Sequence, residues 1–100
     1  MERIDEFRNA LLVHISELNI EPMVKSLSLH PEELPDMYKL TFDNKLLVSW
    51  RALWVCEKLS EVHPGWFVPL REELTGRLLN CTHDGSKRLL LSILFNLPVQ

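Results

Sequence analysis

The side chains best suited to hold a metal ion in this 100-residue chain are its two cysteines and four histidines. Cys81 and His83 stand two residues apart, and His63 or Cys56 would have to supply further ligands. These spacings match no zinc pattern, because the sequence contains neither a Cys-x-x-Cys nor a His-x-x-x-His motif. We therefore predict no metal site and no cofactor.

Covalent or acid–base catalysis would need a nucleophile, or two carboxylates that face one substrate. Cys56 lies in the most apolar stretch of the chain, whereas a reactive thiolate needs partial exposure and a positive neighbour. The acids of Glu32-Glu33 and Glu72-Glu73 are adjacent, so on a helix they point about 100° apart. No set of nucleophile, base and oxyanion donor can be assembled, and we predict that the chain is not an enzyme.

Nucleic-acid binding is the chemistry that the tryptophans suggest. Trp50 and Trp54 lie four residues apart, which places them on one face of a helix with Arg51 beside them. Aromatic and basic side chains together can stack a base and hold a phosphate backbone, and Lys87 and Arg88 would add positive charge. The net charge of -3 and the lack of a basic stripe count against this function. Packing of both tryptophans in the core is expected instead.

The elements that would position these side chains are all predicted to be helices. Leucine dominates the apolar residues and glycine occurs only three times, a composition that favours helix over strand. Five to six helices are expected within a single domain of residues 1–100. They form pairs over about residues 2–29, 34–62 and 66–97.

Apolar periodicity differs sharply between these helices. The first carries one apolar stripe that includes Leu11, Ile15 and Leu18, which predicts a helix that continues to about Leu18. The helix from about 45 to 62 and the one from about 86 to 97 are apolar on nearly every side, so both are expected to be covered. The polar residues of the former gather at its end, where they are expected to reach the surface: Glu57, Lys58, Ser60 and Glu61.

A helix–turn–helix unit recurs with a period of 37 residues. Arg51 and Arg88 each stand just ahead of an apolar run, and each follows a helix that contains an early proline. The fifth helix is predicted to begin near Trp66, with Pro69 in its first turn. A period in this range indicates a solenoid of helix pairs.

The segment 66–98, and more loosely the segment 34–59, resembles the HEAT and HEAT-like helical repeats. In that family the first helix often carries a proline, the turn often contains Asp, and the second helix begins with a basic residue before a strongly apolar stretch. The resemblance covers about two-thirds of the chain. It concerns six positions: Pro35, Asp43, Arg51, Pro69, Asp84 and Arg88.

The resemblance implies an all-α fold, a short right-handed superhelix of antiparallel helix pairs. It also implies a structural role for the Asp and Arg positions, as a ladder of hydrogen bonds between neighbouring repeats. A closed six-helix bundle of the death-fold type is the alternative architecture, in which no 37-residue repeat is expected.

The function predicted from these features is a non-enzymatic module or scaffold for protein–protein interaction. The last helix is apolar with nothing after it, which leaves three coverings open: further repeats of a longer protein of which this is the N-terminal part, a second copy of the chain, or a partner protein. The alternative is a nucleic-acid-binding domain related to HEAT-like DNA alkylation-repair proteins, with contacts from Trp50, Arg51, Trp54, Lys87 and Arg88. The charged start, the two cysteines and the lack of a long apolar run predict a cytoplasmic protein without a membrane contact.

Overall fold

The computed structural model of the chain describes residues 2–98, most of which are helical, with no strand among them. The prediction of an all-α fold with up to six helices is confirmed. In chain order the α-helices are α1 Arg3–Leu11, α2 Glu21–Leu29, α3 Leu34–Leu40, α4 Leu46–Val62, α5 Arg71–Asn80 and α6 Asp84–Asn96. Short 3₁₀ helices at Pro31–Glu33 and Pro64–Leu70 precede α3 and α5.

The helices belong to two compact units, Met1–Val55 and Cys56–Gln100, whose boundary falls inside α4. The first unit holds α1 to α3 and the beginning of α4. The second holds the end of α4 together with α5 and α6. The single domain and the three helix pairs expected from the sequence stay predictions.

Helices α1 and α3 pack together in the first unit. Their facing sides supply Phe7, Leu11, Met37 and Leu40, each less than a twentieth exposed. Fully burying an apolar side chain of this size contributes about 1.5–3 kcal/mol. Prolines help to start two of the short helices. Pro22 lies in the first turn of α2 and Pro35 in the first turn of α3, where a backbone N–H would have had no helical partner.

The end of α1 differs from the prediction. The helix stops at Leu11 rather than Leu18, and Ile15, expected on the buried stripe, is 59% exposed. In a longer helix, the carbonyls of Leu11 and Val13 would accept hydrogen bonds from the N–H groups four residues later. Here Arg51 Nη1 donates to both carbonyls, at 2.9 and 2.6 Å. The side chain of Arg51, from a distant part of the sequence, therefore binds the carbonyl oxygens that a longer α1 would have used as hydrogen-bond acceptors.

In the second unit, α5 packs against α6, and the preceding 3₁₀ helix contacts both. Phe67 is the fully buried residue of that 3₁₀ helix. The α-helix begins at Arg71 and not near Trp66, with Pro69 inside the 3₁₀ segment. In an α-helix begun at Trp66, the ring of Pro69 would crowd the carbonyl of Gly65 four residues earlier, which disfavours α-helix at this point.

Candidate interaction surface

Helix α6 begins at a cap formed by His83. Its Nδ1 accepts a hydrogen bond from the backbone N–H of Ser86 at 3.1 Å, and Ser86 Oγ lies 2.9 Å from the same nitrogen. The imidazole nitrogen here takes the place of the Ser, Thr or Asp oxygen that usually caps a helix. The sequence predicts a turn and a helix cap over residues 82–86. It does not indicate that His83 is the capping residue, because this segment also contains Thr, Asp and Ser, the usual capping types.

A polar seam joins the end of α4 to α6 within the second unit. Ser92 Oγ donates a hydrogen bond to Glu57 Oε1 at 3.0 Å, and Asn96 Nδ2 donates to Ser60 Oγ at 3.0 Å. Ser60 Oγ in turn donates to the carbonyl of Glu57 at 2.6 Å. Glu57 is 7% exposed and Ser60 is fully buried. The expectation that these two residues reach the surface is therefore wrong.

The seam forms because the polar residues recur at helical spacing on both elements. Glu57 and Ser60 are three residues apart on α4, and Ser92 and Asn96 are four apart on α6, so each pair lies along one face. Burial raises the pKa of Glu57, and its hydrogen bond from Ser92 opposes this effect by favouring the charged form. Buried polar groups that satisfy one another fix a helix in one rotation about its axis.

That rotation decides which residues of α6 face solvent. Leu91 and Phe95 each come one residue before a member of the seam, so they point about 100° away from it. They are 57% and 87% exposed, whereas Leu90 and Ile93 are buried. Lys87 and Arg88 are also exposed and lie one turn before Leu91. We refer to Lys87, Arg88, Leu91 and Phe95 as the α6 surface.

The α6 surface is basic at its beginning and apolar toward its end. No side chain within residues 2–98 pairs with Lys87 or Arg88. Arg88 was expected to join Asp84 in a hydrogen-bond ladder between repeats. Both of these residues are exposed in the first turns of α6, and their role as repeat positions stays a prediction.

Asp43 and Arg51 are the corresponding residues of the first unit. Each has a hydrogen-bond partner, but they do not bind each other. Asp43 forms a two-pronged ion pair with Arg8, at 2.9 Å from Nε to Oδ1 and 3.2 Å from Nη2 to Oδ2. Its Oδ2 also accepts the N–H of Lys45 just before α4. The Arg8 guanidinium and, secondarily, this N–H lower the pKa of Asp43. Arg51 instead bonds the carbonyls at the end of α1. Arg51 therefore links α4 to the end of α1, and Asp43 links the segment just before α4 to Arg8 of α1.

The side chains proposed for nucleic-acid contact lie in different surroundings. Arg51 is 6% exposed, with Nη1 bonded to main-chain carbonyls. Trp54 is half-buried, whereas Trp50, also expected in the core, is 41% exposed. Lys87 and Arg88 belong to the second unit, whereas Trp50, Arg51 and Trp54 belong to the first.

Pro35 and Pro69, the remaining predicted repeat positions, are both exposed.

The residues considered for catalysis or metal binding do not converge. Burial raises the pKa of the Cys56 thiol to about 12, which keeps it protonated at neutral pH. Cys81 is half-buried with its Sγ 3.5 Å from the carbonyl of His83. Within residues 2–98, no three His, Cys, Asp or Glu side chains are arranged to bind a metal ion. In the same range no helix has the length and apolarity to span a membrane.

A family model described as a HEAT repeat domain matches residues 7–100, which includes α2 to α6 and most of α1. No curated protein and no solved structure matches the chain significantly. The match begins well before residue 34, so it extends the resemblance seen in the sequence into the first two helices.

Proposed function

Since the chain belongs to the HEAT repeat family, we propose that it is a non-enzymatic module for protein–protein interaction that binds through the α6 surface. Its established character is that of a helical repeat domain, in a family that is typically non-catalytic.

The observation that carries the proposal is the exposure of Leu91 and Phe95 on one face of α6. Single exposed apolar residues are ordinary on a protein surface. These two residues are one helical turn apart. Phe95 is 87% exposed, so burying its aromatic ring against a partner would remove a large apolar area from water. Neighbouring apolar residues bordered by charged ones are typical of a protein-binding site.

The polar seam supports the proposal because it makes the surface rigid. Ser92 and Asn96 hold α6 against α4, so Leu91 and Phe95 cannot turn inward without breaking two partly buried hydrogen bonds. A surface that is ordered before binding loses less conformational entropy when a partner docks.

Nucleic-acid binding has less support than protein binding. Its proposed contacts include Arg51, whose Nη1 is engaged inside the fold, and the net charge is -3. We also propose a cytoplasmic location, which is compatible with a protein-interaction module. An electrophoretic shift with DNA or RNA at low salt would favour the nucleic-acid function instead.

The test compares the proteins captured from native cells by three forms of the full chain. These are the unmodified chain, the variant Leu91→Ser/Phe95→Ser, and the control variant Val62→Ser/Leu79→Ser. The control residues are 60% and 79% exposed in the same unit, so both variants remove two exposed apolar side chains. We expect the α6 variant alone to lose a specific set of captured proteins. Equal capture by all three forms would rule out the α6 surface as the binding site.

A further inference from the structure

The α6 surface combines two kinds of exposed side chain in a fixed order along one helix face. Lys87 and Arg88 lie one turn before Leu91, and Phe95 follows one turn after it. From Lys87 to Phe95 the helix rises by about 12 Å. A partner that covers the whole surface must therefore match both its charge and its apolar part over slightly more than two helical turns.

We propose that the α6 surface binds an acidic amphipathic helix of a partner protein. This inference rests on the proposed function, and it adds the chemistry of the partner. The partner helix carries two apolar residues one turn apart, which contact Leu91 and Phe95. One or two carboxylates on the same face, a turn away, meet Lys87 and Arg88.

Charge complementarity is the first reason for an acidic partner. Lys87 and Arg88 have no ion-pair partner within residues 2–98, and Asp84 is the acidic residue nearest to them in the sequence of α6. Covering the two cations with an apolar surface would remove water from them without compensation. Carboxylates placed opposite them compensate that loss and exclude partners of like charge.

The same argument disfavours a second copy of the chain. Two α6 surfaces that face each other would bring four cations, and only the two copies of Asp84, into one contact. A nucleic acid would supply negative charge, but its phosphates leave Leu91 without an apolar partner. A helix, by contrast, presents residues at the same spacing of three and four that the α6 surface has, so the side chains of the two helices can interdigitate.

The test uses three fluorescent synthetic helical peptides of equal length and otherwise identical, alanine-rich sequence. The first has two leucines at positions i and i+4 and two glutamates one turn further. The second replaces the glutamates with lysines, and the third replaces the leucines with alanines. We expect the full chain to bind the first peptide at least about tenfold more tightly than either of the others, a difference of about 1.4 kcal/mol.

Charge reversal of the protein provides the second half of the test. The variant Lys87→Glu/Arg88→Glu should prefer the lysine peptide, whereas the control Lys25→Glu/Lys45→Glu, with the same change in net charge at two other exposed lysines, should keep the original preference. Far-ultraviolet circular dichroism checks that both variants are folded. If no peptide binds, or if the preference does not follow the charges at residues 87 and 88, the inference is wrong.

Two other outcomes identify a different occupant and would also overturn the inference. Sedimentation of the chain as a dimer that Phe95→Ser dissociates would show a second copy on the α6 surface. Binding of a labelled DNA or RNA that Lys87→Glu/Arg88→Glu abolishes would show a nucleic acid. If capture from cells depends on Leu91 and Phe95 while the peptides show no charge preference, the proposed function stands and the acidic partner alone is excluded.

Discussion

Arg51 Nη1 donates a hydrogen bond of 2.9 Å to the carbonyl of Leu11, forty residues earlier in the chain. Leu11 is the last residue of α1, and Arg51 is buried on α4. A second bond from the same nitrogen reaches the carbonyl of Val13. One buried guanidinium thus ends α1 and links it to α4.

This relationship predicts that Arg51 and Arg88 differ in their effect on stability. Arg51→Met should lower the free energy of unfolding by about 2–4 kcal/mol, because it removes two charge-assisted hydrogen bonds and leaves main-chain acceptors unpaired. Arg88→Met changes an exposed residue and should stay within about 0.5 kcal/mol of the unmodified chain. Urea unfolding measures both. Equal stability of the two variants would contradict the capping role of Arg51.

The ion pair of Asp43 with Arg8 predicts a stability that falls in acid. Since the pKa of Asp43 is lowered in the folded state, its contribution is present above the unfolded-state pKa of about 3.9 and is lost as the pH falls toward the folded value. Asp43→Asn should therefore destabilise the chain at pH 7, with a difference that shrinks toward pH 3. The exposed counterpart Asp84→Asn serves as the control, and its effect on unfolding should be the smaller one at pH 7.

Glu57 in the polar seam predicts the opposite dependence on pH. Burial raises its pKa in the folded state, so the folded chain holds a proton more tightly than the unfolded chain does. Stability is then lost as the pH rises from the unfolded-state pKa of about 4.3 through the folded value. Glu57→Gln keeps an acceptor for Ser92, so it should stabilise the chain at pH 7 by more than it does at pH 4. A Glu72→Gln control, at an exposed position on α5, should show no such trend in urea unfolding.

The rotation of α6 predicts unequal costs for two neighbouring apolar residues. Ile93→Ala creates a cavity at a fully buried position and should cost about 2–4 kcal/mol. Leu91→Ala truncates a side chain that is 57% exposed and should change the unfolding free energy by less than about 0.5 kcal/mol. Thermal or urea unfolding distinguishes them, and a large cost for Leu91→Ala would mean that α6 is rotated differently.

The two cysteines should react with thiol reagents at different rates. Cys56 is buried, with a pKa of about 12, so it exposes almost no thiolate to a reagent in the folded chain. Cys81 is half-buried and should be modified first. Mass spectrometry after limited labelling should find the modification at Cys81, and Cys56 should react only after urea is added. Labelling of Cys56 in the folded Cys81→Ser variant would contradict this burial.

Much of the helical architecture could be read from the sequence, because local signals mark it. Prolines and polar residues define the starts of α2, α3 and α6 within a few residues, and continuous apolarity identifies α4. The candidate surface was only partly predictable. The sequence predicts that the last helix is apolar on nearly every side and needs a covering. It does not distinguish the exposed Leu91 and Phe95 from the buried Leu90 and Ile93, since all four are apolar.

The sequence by itself determined the composition and the helical periodicity, and both agree with an all-α member of the HEAT repeat family. Only the tertiary structure decided where α1 ends and which side of α6 faces solvent. Both depend on hydrogen bonds between residues far apart in the chain, from Arg51 to Leu11 and from Ser92 to Glu57. Local periodicity records which residues share a helix face, but the partner that a face meets is chosen by packing, which acts over distances that no short sequence window contains.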